Sequence, residues 1–416
     1  MTSTYVTVSS EEGSFQAYLA VPESGKGPGI VLCQEIFGIN NALREKADFL
    51  AEEGYTVLVP DLYWRLEAQV DLGYTEQDFQ KAFQLYQKFN DDLGVQDIQS
   101  ALSHLNALKE CDPSVGASVV GYCLGGRLAY LAACRIPELA CAIGYYGVGI
   151  EKHLDEAKKI QAKLVLHFAE LDEFCPAEAR EQIMTTLATI PKAETYLYRG
   201  VDHAFARPKS EHFHKPSALI AHERTITALR KAVGPYYDLE ALWEEHIKFE
   251  FETRDVPATM ATMVAEPYVN HIPTLTGGVG YQQLSRFYRH HFIHNNPKDM
   301  TLTPISRTVG VTQVVDEFIM SFTHDEEIDW LIPGIAPTGK YVEIPMLGVI
   351  KFRGPKLCHE HIYWDQASLL VQIGKLDPTG LPIAGVETAR KLLDESLPSN
   401  TLMPTWSSSE GKPITP

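Results

Sequence analysis

The chain lacks most of the devices that would tie it to a membrane, a nucleic acid or a structural metal. No apolar run approaches the ~20 residues of a membrane-spanning helix. The opening stretch MTSTYVTVSSEEGSF has neither the basic n-region nor the apolar h-region of a signal peptide. There is no basic run and no glycine-rich phosphate loop, and a net charge of −18 opposes binding to a phosphate backbone. Cysteine is sparse: seven residues in 416 (Cys33, Cys111, Cys123, Cys134, Cys141, Cys175, Cys358), odd in number and without a C-x-x-C pair. Neither a disulfide framework nor a cysteine-based zinc site fits that pattern. These absences predict a cytoplasmic protein in a reducing compartment, with no metal or cofactor and with no nucleic-acid or membrane partner.

What is present is an ordinary globular composition, 45% hydrophobic and 22% charged. At 416 residues the chain exceeds one ordinary core, so two domains are expected. Up to Val233, short β-branched runs such as Gly29–Cys33, Thr56–Pro60, Ala117–Gly121 and Lys163–Phe168 alternate with amphipathic helical patterns such as Ala42–Glu53 and Gln77–Asn90. That alternation predicts an α/β domain with a mostly parallel sheet covered on both faces. Gly234-Pro235 punctuates its end. Beyond it a helix, Leu239–Glu252, precedes long alternating strands (Thr312–His324, Tyr341–Phe352, Cys358–Trp364), which predicts an α+β domain with an antiparallel sheet. The expected domains are residues 1–235 and 236–395, followed by a loose tail, 396–416, rich in Ser, Pro, Thr and Gly.

The run Ala117-Ser-Val-Val-Gly-Tyr-Cys-Leu-Gly-Gly126 reads as strand, sharp turn and helix, with Cys123 on the turn. Small residues around such an elbow let it lift a nucleophile clear of the sheet, and the helix N-terminus behind it favours a thiolate. Taken alone, Gly-x-Cys-x-Gly is a weak signal, because most free cysteines are small buried hydrophobes. The order of its partners strengthens it. Asp172 follows the strand Lys163–Phe168, and His203 follows Glu194–Tyr198, giving nucleophile, acid and histidine in hydrolase order on successive strand ends. His203 would take the thiol proton, and Asp172 would hold the other ring nitrogen. Glu35, in the loop after Gly29–Cys33, falls where a second oxyanion-hole donor is supplied and is expected near Cys123.

The motifs Gln34-Glu35-Ile36-Phe37-Gly38, Pro60-Asp61-Leu62-Tyr63, Gly121-Tyr-Cys-Leu-Gly-Gly126, Gly144-Tyr-Tyr-Gly-Val-Gly149 and His203-Ala-Phe-Ala-Arg207 make residues 1–233 resemble the dienelactone hydrolase (carboxymethylenebutenolidase) family. The resemblance implies an α/β-hydrolase with a Cys123-His203-Asp172 triad. It further implies that Glu35 pairs with the resting thiol, that Leu124 and Ile36 donate the oxyanion-hole N–H groups, and that Arg207 holds a substrate carboxylate. Phe37 and Tyr145 are expected to line the substrate site with Arg207 and Lys81. The family's second arginine has no counterpart: the helix Glu76–Tyr86 carries Lys81 as its only cation, beside Phe79 and Phe83. A missing bidentate clamp predicts an ester or lactone less anionic, or larger, than a small dianionic lactone.

Residues 241–395 resemble the SnoaL-like branch of the nuclear-transport-factor-2-like cone fold through Tyr268-Val-Asn-His271, Val315–His324, Glu327-Ile-Asp-Trp330 and His359-Glu-His-Ile-Tyr-Trp-Asp365. Strand alternation puts His359, His361, Tyr363 and Asp365 on one face. If that face lines the cone, His361 and Asp365 form an acid/base pair, with His271 nearby. His359-x-His361 has no third ligand placed by sequence, so no metal is expected there. His290 and His291 are expected at a surface or interface. Three readings remain: a cysteine hydrolase whose second domain shapes access, a bifunctional enzyme with a second cyclase, isomerase or lactone-hydrolase step, and a hydrolase with a purely dimerising second domain.

Overall fold

A computed structural model describes residues 1–414, and the last two residues of the expected tail lie outside them. The chain divides into two compact units, the first Met1–Tyr236 and the second beginning at Tyr237.

The first unit is built on eight strands: β1 (Thr2–Ser10), β2 (Gly13–Val21), β3 (Gly29–Cys33), β4 (Thr56–Pro60), β5 (Ala117–Tyr122), β6 (Leu139–Tyr145), β7 (Lys163–Ala169) and β8 (Ala193–Tyr198). They lie in the order β1-β2-β4-β3-β5-β6-β7-β8. Only β1 and β2 pair antiparallel with their neighbours, and the six strands from β4 to β8 run parallel. Every residue of β3, β4 and β5 is buried, as expected of strands covered on both faces. The covering helices are α1 (Asn41–Glu52), α2 (Glu76–Lys88), α3 (Asp91–Ala107), α4 (Leu124–Arg135), α5 (Ala177–Leu187) and α6 (Lys215–Val233). Helix α4 is buried from Leu124 to Cys134 and presses so closely on the sheet that a Cβ on Gly125 would meet the Cys33 carbonyl oxygen at 2.4 Å. That contact brings the end of β3 beside the start of α4. Helix α2 starts on a capping box in which Thr75 and Asp78 satisfy each other's backbone N–H, which places Phe79 and Phe83 one turn apart on one face.

The second unit carries helices α7 (Leu239–Ile247) and α8 (Val256–Ala261), strands β9 (Met263–His271) and β10 (Thr276–Val279), helix α9 (Gly280–Phe287), strands β11 (Thr301–Val309), β12 (Gln313–Thr323), β13 (Tyr341–Arg353) and β14 (Lys356–Trp364), and helices α10 (Gln366–Gln372) and α11 (Glu387–Leu393). Helices α7 and α9 run on into single π-turns, Lys248–Glu252 and Tyr288–Phe292. The sheet order is β10-β9-β14-β13-β12-β11. It is not wholly antiparallel as expected, because β14 and β9 pair in parallel. Residues 392–414 are exposed. Among the described residues no helix is long and apolar enough to cross a membrane.

Candidate active site

Cys123 stands between β5 and α4 with φ 55° and ψ −111°, a left-handed conformation that costs a residue with a side chain of order 1–3 kcal/mol. Its N–H donates to the Tyr145 carbonyl at 3.0 Å, and its own carbonyl accepts from Gly126 and Arg127 in the first turn of α4. The strain is therefore held from both sides, and the thiol is presented half-buried at the helix start. Leu124 opens α4, so its N–H is one of the orphan donors of that helix start. Ile36 lies in the turn just after β3, next to the Gly125 N–H that donates to the Gln34 carbonyl at 2.9 Å.

His203 and Asp172 arrive from the ends of β8 and β7. The loop carrying Asp172 is sewn to the next by Glu170 N–H to Tyr198 O and Leu171 N–H to Val201 O, each 2.9 Å. Asp172 Oδ2 lies 2.9 Å from His203 Nδ1, while Oδ1 accepts the Phe174 N–H at 2.9 Å. The carboxylate is buried and the imidazole nearly so, with side-chain exposures of 1% and 13%. Burial alone would push the imidazole down; the Cys123 sulfur and the hydrogen-bonded Asp172 carboxylate outweigh it and hold it up at about 10. Cys123, His203 and Asp172 thus form one connected chain.

Glu35 departs from the expected arrangement. Its carboxylate accepts from Arg207, Nε to Oε2 at 3.0 Å and Nη2 to Oε1 at 3.1 Å, and from the Tyr146 hydroxyl at 3.4 Å. The carboxylate is thereby engaged by Arg207 rather than by Cys123. A bidentate guanidinium–carboxylate pair with both partners buried wins that competition. Arg207, expected to hold a substrate carboxylate, is further covered by the rings of Tyr74 at 4.4 Å and Phe37 at 5.4 Å.

Phe37 belongs to an aromatic wall, 4.8 Å from Tyr74 and 6.4 Å from Phe79, which stacks on Phe83. Phe79, Phe83, Leu171 and Phe174 are exposed, and Phe174 packs edge-on against His203 at 4.9 Å. Lys81 sits on the surface bound to Glu67 at 2.5 Å and does not join Arg207. Tyr145 is not at the mouth either: its hydroxyl bonds Thr225 at 2.6 Å in the interior, and its ring stacks between Tyr122 and His167. The tyrosine that faces the triad is Tyr146, whose positive φ of 37° turns its ring onto His203 at 4.9 Å. Strand β6 ends at Tyr145, so simple alternation could not place its neighbour. The other first-unit cysteines (33, 111, 134, 141 and 175) are buried.

The second unit encloses a separate cavity of about 840 Å³, lined by Phe251, His271, Phe292, Trp330, Glu250 and Glu360 among others. His271 is buried there among Phe287, Phe292, Trp330 and Trp364, and burial pushes its imidazole down to about 3. His361 and Asp365 are elsewhere. On β14 it is Glu360, Ile362 and Trp364 that are buried, so the face expected to line the cone is the outer one. His361 stacks on His359 at 4.6 Å, and Asp365 caps α10 by accepting from the N–H groups of Ala367 and Ser368. Alternation gives two faces without saying which is inner; the apolar Ile362 and Trp364 mark the inner one. Three buried residues of the second unit carried no functional reading in the sequence: His246, Glu250 and Glu360, whose ligating atoms converge within 4.8 Å, the two glutamates lining the cavity. Trp243, His246 and Glu250 recur at helical spacing, which was the available signal. His291 bonds Asp329 at 2.7 Å, and His290 is exposed.

A model of the dienelactone hydrolase family matches residues 15–233. A putative carboxymethylenebutenolidase of Azospirillum brasilense is 35% identical over 226 residues, which is 54% of this chain and 96% of the relative. The carboxymethylenebutenolidase of Pseudomonas putida is 34% identical over 226 residues, 54% of this chain and 94% of the relative. The crystal structure of a putative dienelactone hydrolase from Klebsiella pneumoniae aligns with a TM-score of 0.49 at 26% identity, covering 56% of this chain and all of that one. With this match over more than half its length, on a sheet and strand-end constellation of the α/β-hydrolase kind, the chain belongs to the dienelactone hydrolase family and is a hydrolase of ester or lactone bonds.

Proposed function

We propose that the first unit cleaves carboxylic esters or lactones through an acyl-enzyme on Cys123. The observation that carries this is the sulfur on its strained elbow, in the field of an imidazole that Asp172 holds at 2.9 Å. The thiolate adds to the substrate carbonyl carbon, and the oxyanion is met by the N–H groups of Leu124 and Ile36, donors of a type contributing roughly 3 kcal/mol each. Collapse breaks the C–O bond, and the leaving alkoxide or enolate takes the proton from His203. Water then gives a proton back to His203 as it adds to the thioester, and the carboxylic acid departs as the C–S bond breaks.

The preferred substrate is less anionic or larger than a small dianionic lactone. Arg207 is engaged by Glu35, Lys81 by Glu67, and the rim is formed by Phe79, Phe83, Leu171 and Phe174. Small molecules are the partners in this reading, with nucleic acid, membrane and cofactor playing no part in the Cys123 chemistry and the cytoplasm as its setting. Hydrolysis of activated esters and unsaturated lactones by wild type and Cys123→Ala is the test. Turnover lost in the variant, with neutral esters preferred over dicarboxylate lactones, is expected. Equal turnover by both proteins overturns the cysteine mechanism.

The second unit we read as a SnoaL-like cone. A six-stranded sheet and a cavity of mixed lining, with buried His271, Glu250 and Glu360 in its wall, favour a second small-molecule site over a purely dimerising role.

A further inference from the structure

We propose that the second unit binds one divalent first-row transition-metal ion, in the Mn²⁺ to Zn²⁺ range, on His246 Nε2, Glu250 and Glu360, with its remaining positions open to the cavity. This goes beyond the Cys123 hydrolase and does not depend on it.

The three donors come from two elements. His246 lies in the last turn of α7, Glu250 follows four residues later in the π-turn that continues it, and Glu360 reaches in from β14. His246 Nε2 lies 3.1 Å from Glu250 Oε1 and 3.1 Å from Glu360 Oε1. Ligand bonds of about 2.1 Å put neighbouring donors about 3.0 Å apart at a right angle and about 3.4 Å apart at the tetrahedral angle. The observed edges fall between those limits. All three side chains are buried, with exposures of 0% for His246 and 4% for each glutamate.

Donor counting favours a metal over a hydrogen bond. Nε2 can carry one hydrogen, yet two carboxylate oxygens converge on it at 3.1 Å, and the Tyr288 hydroxyl is a distant donor, 3.4 Å from Glu360 Oε1. A divalent ion takes a lone pair from all three groups at once. The imidazole is already oriented for this. His246 Nδ1 lies 2.6 Å from Thr262 Oγ1, and the Thr262 hydroxyl donates to the Thr259 carbonyl at 2.7 Å. Thr262 therefore accepts from Nδ1–H, which leaves the Nε2 lone pair aimed at the carboxylates. An outer hydrogen bond of that kind is the usual support of a metal-bound histidine.

One nitrogen and two carboxylates suit Mn²⁺, Fe²⁺ or Zn²⁺ rather than a soft thiophilic ion. Glu250 and Glu360 both line the cavity, so the open positions face a space walled by Phe292, Met320, Trp330 and Ile362. Lys248, Arg307 and Asp316 share that lining, so the ligand that fits is an organic molecule with an apolar body and polar substituents, one of them a carbonyl or hydroxyl oxygen to place on the ion.

The test is titration of the chelator-treated full-length chain with MnCl₂, followed by calorimetry and electron paramagnetic resonance. Manganese is the probe because thiols such as Cys123 compete weakly for it. One ion per chain is expected, bound at least about 100-fold more weakly by Glu360→Gln and by Glu250→Gln. The wild-type spin-echo spectrum should show coupling to a single imidazole nitrogen, which decides the matter even if a variant fails to fold. No binding, binding unchanged in both variants, or bound manganese without a coupled nitrogen each overturns the site. Because ester hydrolysis is not the readout, failure here is distinct from failure of the Cys123 mechanism.

Discussion

Asp172→Asn tests the triad through a detail of its hydrogen bonds. Asp172 uses both oxygens: Oδ2 takes His203 Nδ1–H and Oδ1 takes the Phe174 N–H, each at 2.9 Å. An amide has one oxygen. If it stays on Phe174, the NH₂ group faces Nδ1 and forces the proton onto Nε2, where the ring can no longer accept one from Cys123. If the oxygen turns to His203, the NH₂ group meets the Phe174 N–H, and two buried donors opposed cost about 1–3 kcal/mol. The lost charge adds to either outcome. With about 4 Å between charge centres and an effective dielectric near 20, the carboxylate stabilises the imidazolium by ~4 kcal/mol. That corresponds to about 10³-fold in rate, and the wrong tautomer extends it towards 10⁴-fold. Asp172 is buried behind the ring, so KM should stay within about threefold while kcat falls. Steady-state hydrolysis of a p-nitrophenyl ester measures both. A correctly folded variant keeping more than about a tenth of wild-type kcat refutes the reasoning.

The pH dependence of His203 follows from the same contacts. Its imidazole is raised from the ordinary 6.5 to about 10, so the stability it contributes is fully present below pH 6.5 and is lost as pH rises through about 10. Cys123→Ala removes the largest upward influence, so an NMR titration should find His203 losing its proton at lower pH than in wild type, and lower than in Asp172→Asn. Arg207→Gln leaves Glu35 buried without its partner and should lower unfolding free energy by about 3–5 kcal/mol, with Glu35→Gln added to it restoring part; chemical denaturation checks this. Phe83→Ser should raise KM for hexyl over acetyl esters by about 3–10-fold, since a partly exposed ring recovers part of its 1.5–3 kcal/mol of burial on binding.

The first unit was legible because its central strands are unbroken apolar runs and its chemistry sits at their ends. Ala117–Gly121 and Lys163–Phe168 have no other good solution, and Cys123, Asp172 and His203 follow from where they stop. The second unit resisted because its strands are interrupted. β9 contains Pro267 where its pairing with β14 shifts register, β10 is Thr-Gly-Gly-Val, and β11 has Pro304 at a bulge. These features erase the period-two signal without preventing the sheet. What sequence could not supply in either unit was choice among neighbours: Tyr146 over Tyr145, Glu360 over His361, Arg207 over Cys123 as the partner of Glu35. Each was decided by a backbone turn or a buried charge that only the folded chain brings together.

The burial of the other first-unit cysteines has a practical meaning. Burial drives the thiols of Cys33, Cys111, Cys134, Cys141 and Cys175 upward, to about 11 for Cys111 and about 12 for Cys175. Such groups react slowly with alkylating agents, while Cys123 stands on an accessible elbow beside a cation. Within that unit a thiol-directed label is then a head-count of competent catalytic centres. A folded fraction whose Cys123 is blocked or oxidised shows as missing label rather than as an unexplained low rate.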